Sequence, residues 1–208
     1  MESCDDCDDG RIARQLPLCN ILDKGCNKLV KYRTVKTDAD WRNISKLYKK
    51  AFPLSERKPL CLIRSTHKKN KADVWLIEDE GTFKGFAITM NSGDLVMLDY
   101  FAVAEDARGK GYGSSCLKWL QAQYKDYRFF LEIESIYIKA KNMEQRIGRK
   151  SFYERNGMRE VGIVAKVFGV ELVSMGYDCA LTFEEYKKLY TDCYGKLVGM
   201  NIREVKRG

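Results

Sequence analysis

The sequence predicts an α+β fold: one mixed, mostly antiparallel sheet of about six or seven strands, helices on both faces, and a central β-α-β crossover. Three observations carry this. First, "ADVWLIED", "TFKGFAITM" and "LVMLDYFAV" follow one another as apolar runs of strand length, separated by "EG" and "NSGD", which suit tight antiparallel turns. Second, "SSCLKWLQAQYKD" sets Cys116, Leu117, Leu120 and Tyr124 at helical spacing and "RFFLEIES" resumes a strand; strand, helix, strand in that order joins two parallel strands. Third, 45% hydrophobic residues and only three prolines in 208 residues supply one compact domain with a core and argue against a disordered chain.

The remaining elements follow in order. "LVKYRTVK" (29–36) alternates as a strand does, and "TDADWRNISKLYKKAF" puts Trp41, Ile44, Leu47, Tyr48 and Phe52 on one helical face. "FPLSERKPL" interrupts with two prolines, and a second, shorter helix runs from Leu60 to near Ser65. After the crossover, "EQRIGRKSFYERNGM" reads as a helix stopped by Asn156 and Gly157. Two strands, "REVGIVAKVF" and "ELVSMGYDCAL", precede a helix over Phe183–Tyr194, which Thr182 and Glu185 open as a capping box. Residues 1–28 are read as an N-terminal cysteine-containing tail, 29–195 as the domain, and 196–208 as a basic C-terminal tail.

A net charge of +8 suits a nucleic acid, an anionic membrane surface or a phosphate-bearing ligand, and equally suits plain solubility. No basic-aromatic motif supports a nucleic-acid partner, and "HKKNK", with the only histidine, His67, reads as a solvated loop. No apolar run approaches the ~20 residues that cross a bilayer. "MESCDDCDDG" is acidic where a secretory signal is basic, so the expected location is cytoplasmic, with the eight cysteines reduced. Cys61, Cys116, Cys179 and Cys193 sit among apolar neighbours. Cys4, Cys7, Cys19 and Cys26 admit a zinc knuckle or a thiol-rich tail; the wide spacing of the second pair departs from metal-ligand spacing, and no metal is assigned.

The chemistry concentrates in "ARGKGYGSSC", where Gly109, Gly111 and Gly113 stand at a strand-to-helix junction. The spacing misses the dinucleotide fingerprint G-x-G-x-x-G, and no lysine follows the last glycine as a P-loop requires. Two readings remain: a turn that starts the helix close to the sheet, or a cradle whose backbone N–H groups meet a pyrophosphate at the helix N-terminus, with Arg108 and Lys110 adding charge.

"LDYFAVAEDARGKGYGSSCLKWL" resembles the coenzyme A-binding core of the GNAT superfamily of N-acetyltransferases, whose signature Q/R-x-x-G-x-G/A is met by Arg108, Gly111 and Gly113. "RIGRKSFYERNGM" resembles the family's second motif, and the order of elements from Leu29 to Tyr194 is similar to that of the superfamily. The resemblance implies acetyl-CoA as cofactor, its pantetheine arm along the backbone of Phe101, Ala102 and Val103, with Phe101 N–H toward the thioester carbonyl. The pyrophosphate would then lie against Arg108, Gly109, Lys110, Gly111, Tyr112, Gly113 and Ser114. It also implies N-acetylation of a primary amine, on a small molecule or a peptide, by direct attack in a ternary complex.

Tyr153 matches the family's general acid, a phenol protonated at neutral pH. A carboxylate must accept the ammonium proton before attack, and three qualify: Asp99, Glu134 and Glu56. The glutamate that some members carry four residues before the oxyanion donor is replaced by Met97, and Asp99 follows on the same side of the strand. In the family the acceptor lies between the first two helices and the later strands, where Glu56 and Arg57 would flank it, Arg57 pairing with a substrate carboxylate. An idle fold that binds acyl-CoA or scaffolds a partner is the alternative, and the oligomeric state, a homodimer included, stays open.

Overall fold

A computed structural model describes residues 19–22, 29–177 and 179–206. Nine strands form one sheet in the order β1-β2-β3-β4-β5-β6-β8-β7-β9. Seven answer the expectation: β2 (Leu29–Thr34), β3 (Ala72–Asp79), β4 (Thr82–Ser92), β5 (Leu95–Val103), β6 (Arg128–Glu134), β7 (Arg159–Val167) and β8 (Val170–Gly176). Two short edge strands are added, β1 (Cys19–Leu22) on β2 and β9 (Ile202–Glu204) on β7. Every neighbouring pair is antiparallel except β5 with β6, the pair joined by the crossover helix.

Helices cover both faces. Cys116, Leu117, Trp119 and Leu120 of α3 (Tyr112–Gln123) and Tyr153 of α4 (Met143–Arg155) pack on one face against Trp75, Leu98 and Leu131. On the other, α1 (Asp38–Ala51) and α2 (Leu60–Lys68) bury Ile44, Tyr48 and Ile63 against Leu76 and Phe86, while α5 (Phe183–Tyr194) buries Tyr186, Leu189 and Tyr190 against Met97 and Phe130. Capping boxes start α1 at Thr37 with Asp40 and α5 at Thr182 with Glu185, the latter as the sequence predicts. Asp40 also clamps Arg33 of β2, whose Nη2 lies 2.7 Å from Asp40 and 2.6 Å from Glu78 of β3, fixing α1 to these two strands.

Three expectations change. The basic C-terminal tail is not separate: Lys196–Gly199 form a short helix, α6, and Ile202 of β9 is buried in the α5 cluster, so an apolar residue anchors that segment. His67 is no loop residue; α2 extends to Lys68, and His67 Nδ1 lies 2.8 Å from the Ala72 carbonyl oxygen. Strand β8 ends at Gly176, where Cys179 folds back so closely that a Cβ would meet its sulfur at 2.6 Å. Cys4, Cys7 and Cys26 lie outside the described residues, among which no cluster of His, Cys, Asp and Glu is arranged to hold a metal. No helix among them is long and apolar enough to cross a membrane.

Candidate active site

The site begins with a strand slip. Opposite β4, the β5 register shifts so that Ile88 faces Tyr100 while Thr89 faces Leu98, which leaves Asp99 as the extra, bulged residue. On its other side β5 stays with β6 only as far as Leu98 and Leu131; β5 continues to Val103 and β6 to Glu134 without pairing to each other, each still held by its outer neighbour. The sheet therefore splits, and the β6-facing edge of β5 from Asp99 to Val103 has no strand partner. Beyond the bulge Phe101 and Val103 turn toward the α3 face, while Tyr100 packs with Tyr48 and Phe52 beneath α1.

At the mouth of that split the glycines divide their work. Gly109 and Gly111 have φ of +73° and +87°, a left-handed backbone that disfavours side chains, and a Cβ at either would meet nothing within 4 Å. Gly113 is helical, and a Cβ there would stand 3.1 Å from the Phe152 ring, so it lets α4 close onto α3. Gly111, as N-cap, provides no side-chain acceptor, and the first turn of α3 holds no acidic residue. The opening N–H groups are thus uncapped by side chains, and the space a Cβ would enter at Gly109 and Gly111 is open, which fits an anion such as a pyrophosphate. Arg108 Nε meanwhile donates to the Val103 carbonyl at 3.3 Å, an acceptor at the C-terminal end of β5.

Tyr153 comes from α4 on the α3 side of the split. Burial pushes its phenol up to about 12, and its hydroxyl makes no hydrogen bond among the described residues. The same helix reaches the end of β6: Arg146 Nη2 lies 2.6 Å and Arg149 Nη1 3.2 Å from the carboxylate of Glu134, which also accepts from Asn142 Nδ2 at 3.2 Å.

Below the split, on the α1–α2–α5 face, a cavity of about 460 Å³ opens. Glu134 and Arg149 line it together with Glu56, Arg57, Lys58 and Asp99, so it runs from the connection between α1 and α2 through the parted strands to α4. Asp99 accepts from Lys58 Nζ and from Tyr194 OH, each at 2.6 Å. Glu56, in the 3-10 turn Leu54–Glu56, is half-buried; its carboxylate has no hydrogen bond or ion pair among the described residues, and burial, then the charge of Glu134, raises its proton affinity. The neighbouring Arg57 has its Nε buried with no hydrogen-bond partner among them.

All three predicted carboxylates thus meet at one cavity, two of them already ion-paired. Sequence reasoning missed Lys58, the two arginines on Glu134, and Glu132, whose carboxylate accepts from Tyr186 and Tyr190 and is pushed up by burial. A signal for the last was present: Tyr186, Tyr190 and Tyr194 recur every four residues along one face of α5, and all three hydroxyls end on acids of the central strands.

A mixed sheet split at its one parallel pair, with a glycine-led helix on one side and a polar cavity on the other, defines an acetyltransferase-type fold. Residues 70–160, from just before β3 to the start of β7, match the family described as "Acetyltransferase (GNAT) domain", in keeping with the sequence resemblance. No curated protein matches the chain. Among solved structures, a protein from Bacteroides thetaiotaomicron assigned to the GNAT family shares 20% identity at a TM-score of 0.65, over 79% of this chain and 98% of its own. The ribosomal-protein-S18-alanine N-acetyltransferase of Escherichia coli shares 19% at a TM-score of 0.52, over 74% and 97%. An aminoglycoside 6'-N-acetyltransferase complexed with coenzyme A shares 14% at 0.55, over 70% and 94%. At these identities the likeness is one of fold.

Proposed function

We propose that the protein transfers the acetyl group of acetyl-CoA to a primary amine by direct attack in a ternary complex. The observation that carries this is the split between β5 and β6, which opens at one end on the uncapped start of α3 and at the other on a cavity with an unpaired, half-buried carboxylate. Bound acetyl-CoA supplies an acyl group activated as a thioester. Arg108, Gly109, Lys110, Gly111, Tyr112, Gly113 and Ser114 hold its pyrophosphate, and Phe101, Ala102 and Val103 offer the strand edge that β6 leaves free to its pantetheine arm, as an added strand would be held.

Glu56 is the general base of this reading. Asp99 and Glu134 already neutralise cations, whereas Glu56 has no counter-ion bonded to it, and its raised proton affinity suits it to take a proton from the acceptor ammonium. Arg57, with an unused buried Nε, binds a carboxylate of the acceptor. Tyr153, held neutral by burial, protonates the departing thiolate. A second reading, a module that binds acyl-CoA without turnover, is favoured by Met97, which is fully buried where some relatives carry a glutamate. Release of free thiol from acetyl-CoA against a panel of amines and amino acids separates the two: turnover with any acceptor supports the enzyme, and CoA binding with none supports the module.

A further inference from the structure

Lys58 fills a cation site inside the cavity. Its Nζ lies 2.6 Å from Asp99 Oδ1 and 5.0, 5.3 and 4.7 Å from the ring centroids of Tyr100, Tyr190 and Tyr194. Glu132 is the next acid inward, bonded by Tyr190 and feeling the Lys58 charge. Three ring faces and the Asp99 carboxylate hold an alkylammonium whose side chain is only 17% exposed, with its charge matched and its methylenes shielded.

The occupant is tethered. Lys58 N–H donates to Tyr100 OH at 3.0 Å and its carbonyl accepts from Tyr48 OH at 3.1 Å, so the backbone stays put and only the four-carbon side chain is free to leave. A free ammonium entering the cavity must compete with one held there at high effective concentration. Lys58, Asp99, Tyr100, Glu132 and Tyr190 all line the cavity that also holds Glu56 and Arg57.

We propose that Lys58 is a specificity-determining residue: it occupies the alkylammonium subsite of the acceptor cavity, so the cavity admits acceptors whose only cation is the reacting amine and turns away diamines and polyamines. The selectivity half rests on the acetyl-transfer reading above; the binding half needs no turnover.

The test compares the full-length protein with Lys58→Ala in thermal denaturation while n-butylammonium or its neutral counterpart butan-1-ol is titrated. Lys58→Ala melts below the parent protein, n-butylammonium raises its melting temperature saturably, butan-1-ol does not, and the parent responds to neither. If Lys58→Ala refolds poorly, the folded fraction recovered with each additive is the readout, and only the cation restores it. Equal response to both additives, or a parent that responds as the variant does, overturns the inference. In thiol-release assays the variant gains on the order of tenfold in kcat/KM for 1,5-diaminopentane relative to pentylamine. An unchanged ratio in an active enzyme overturns the selectivity; cation rescue with no thiol release from any amine keeps the subsite and removes the acetyl-transfer reading instead.

Discussion

Glu134 and Arg146 meet at 2.6 Å with their side chains only 8% and 11% exposed, and this contact pins α4 to the end of β6. Removing one member of a buried pair leaves the other charge uncompensated, at about 3–5 kcal/mol. Glu134→Gln is therefore expected to lower unfolding free energy by about 3 kcal/mol in urea titration, less than the upper end because Arg149 is 40% exposed and regains water. Full stability of that variant would refute the anchoring role.

Glu56 is the contrasting carboxylate. Burial raises its folded-state value above the ordinary 4.5, so between 4.5 and the raised value the native protein binds more protons than the unfolded chain. Stability contributed by this group is present at low pH and declines as pH rises through that window; Glu56→Gln removes the slope. The same ionisation is expected to shape turnover, with kcat/KM rising as Glu56 deprotonates, and Glu56→Gln lowering it by about 10²-fold or more with CoA affinity intact. If instead the glutamine variant keeps its rate while Asp99→Asn loses it, the base is Asp99.

The meander, the crossover and the Thr182 capping box were legible because each rests on neighbours in the chain: turn residues, 3.6-residue spacing, or a cap three residues from its partner. The candidate site was legible in its residue types for the same reason, through the glycine turn and the Tyr153 helix. Its pairing was not. Asp99 sits at a one-residue slip, and such a slip reverses which face each later residue takes, so strict alternation puts Phe101 on the same side as Asp99 when it packs toward α3. The contacts of Lys58 with Asp99 and of Glu134 with Arg146 join separate elements through space, and no local pattern encodes them. Edge strands β1 and β9 are likewise invisible, since three or four residues gain strand character only from the partner beside them.

Tyr153 offers a test of acid chemistry separate from binding. Tyr153→Phe removes one oxygen from a buried phenol, and turnover is expected to drop about 10²-fold while CoA affinity by calorimetry stays within about twofold. Because the fold holds the phenol neutral up to about 12, the unfolded chain releases this proton first, near 10, and stability declines as pH rises across that interval. The phenylalanine variant lacks that decline. Normal turnover in Tyr153→Phe assigns the proton to another donor.

Gly111 and Gly113 separate a backbone requirement from a packing one. Gly111 has φ +87° and a Cβ there would find nothing within 4 Å, so Gly111→Val suffers only backbone strain, about 1–2 kcal/mol, and its bulk projects into the open space before α3. Gly113→Val instead drives a side chain into Phe152, 3.1 Å from the first added carbon, and disturbs the α3–α4 contact itself. Gly111→Val is thus expected to melt cooperatively with a modest loss of stability yet lose CoA binding in calorimetry, whereas Gly113→Val loses both together. Should Gly111→Val bind CoA like the parent protein, the open space before α3 is not where the pyrophosphate lies, and the glycines serve the turn alone.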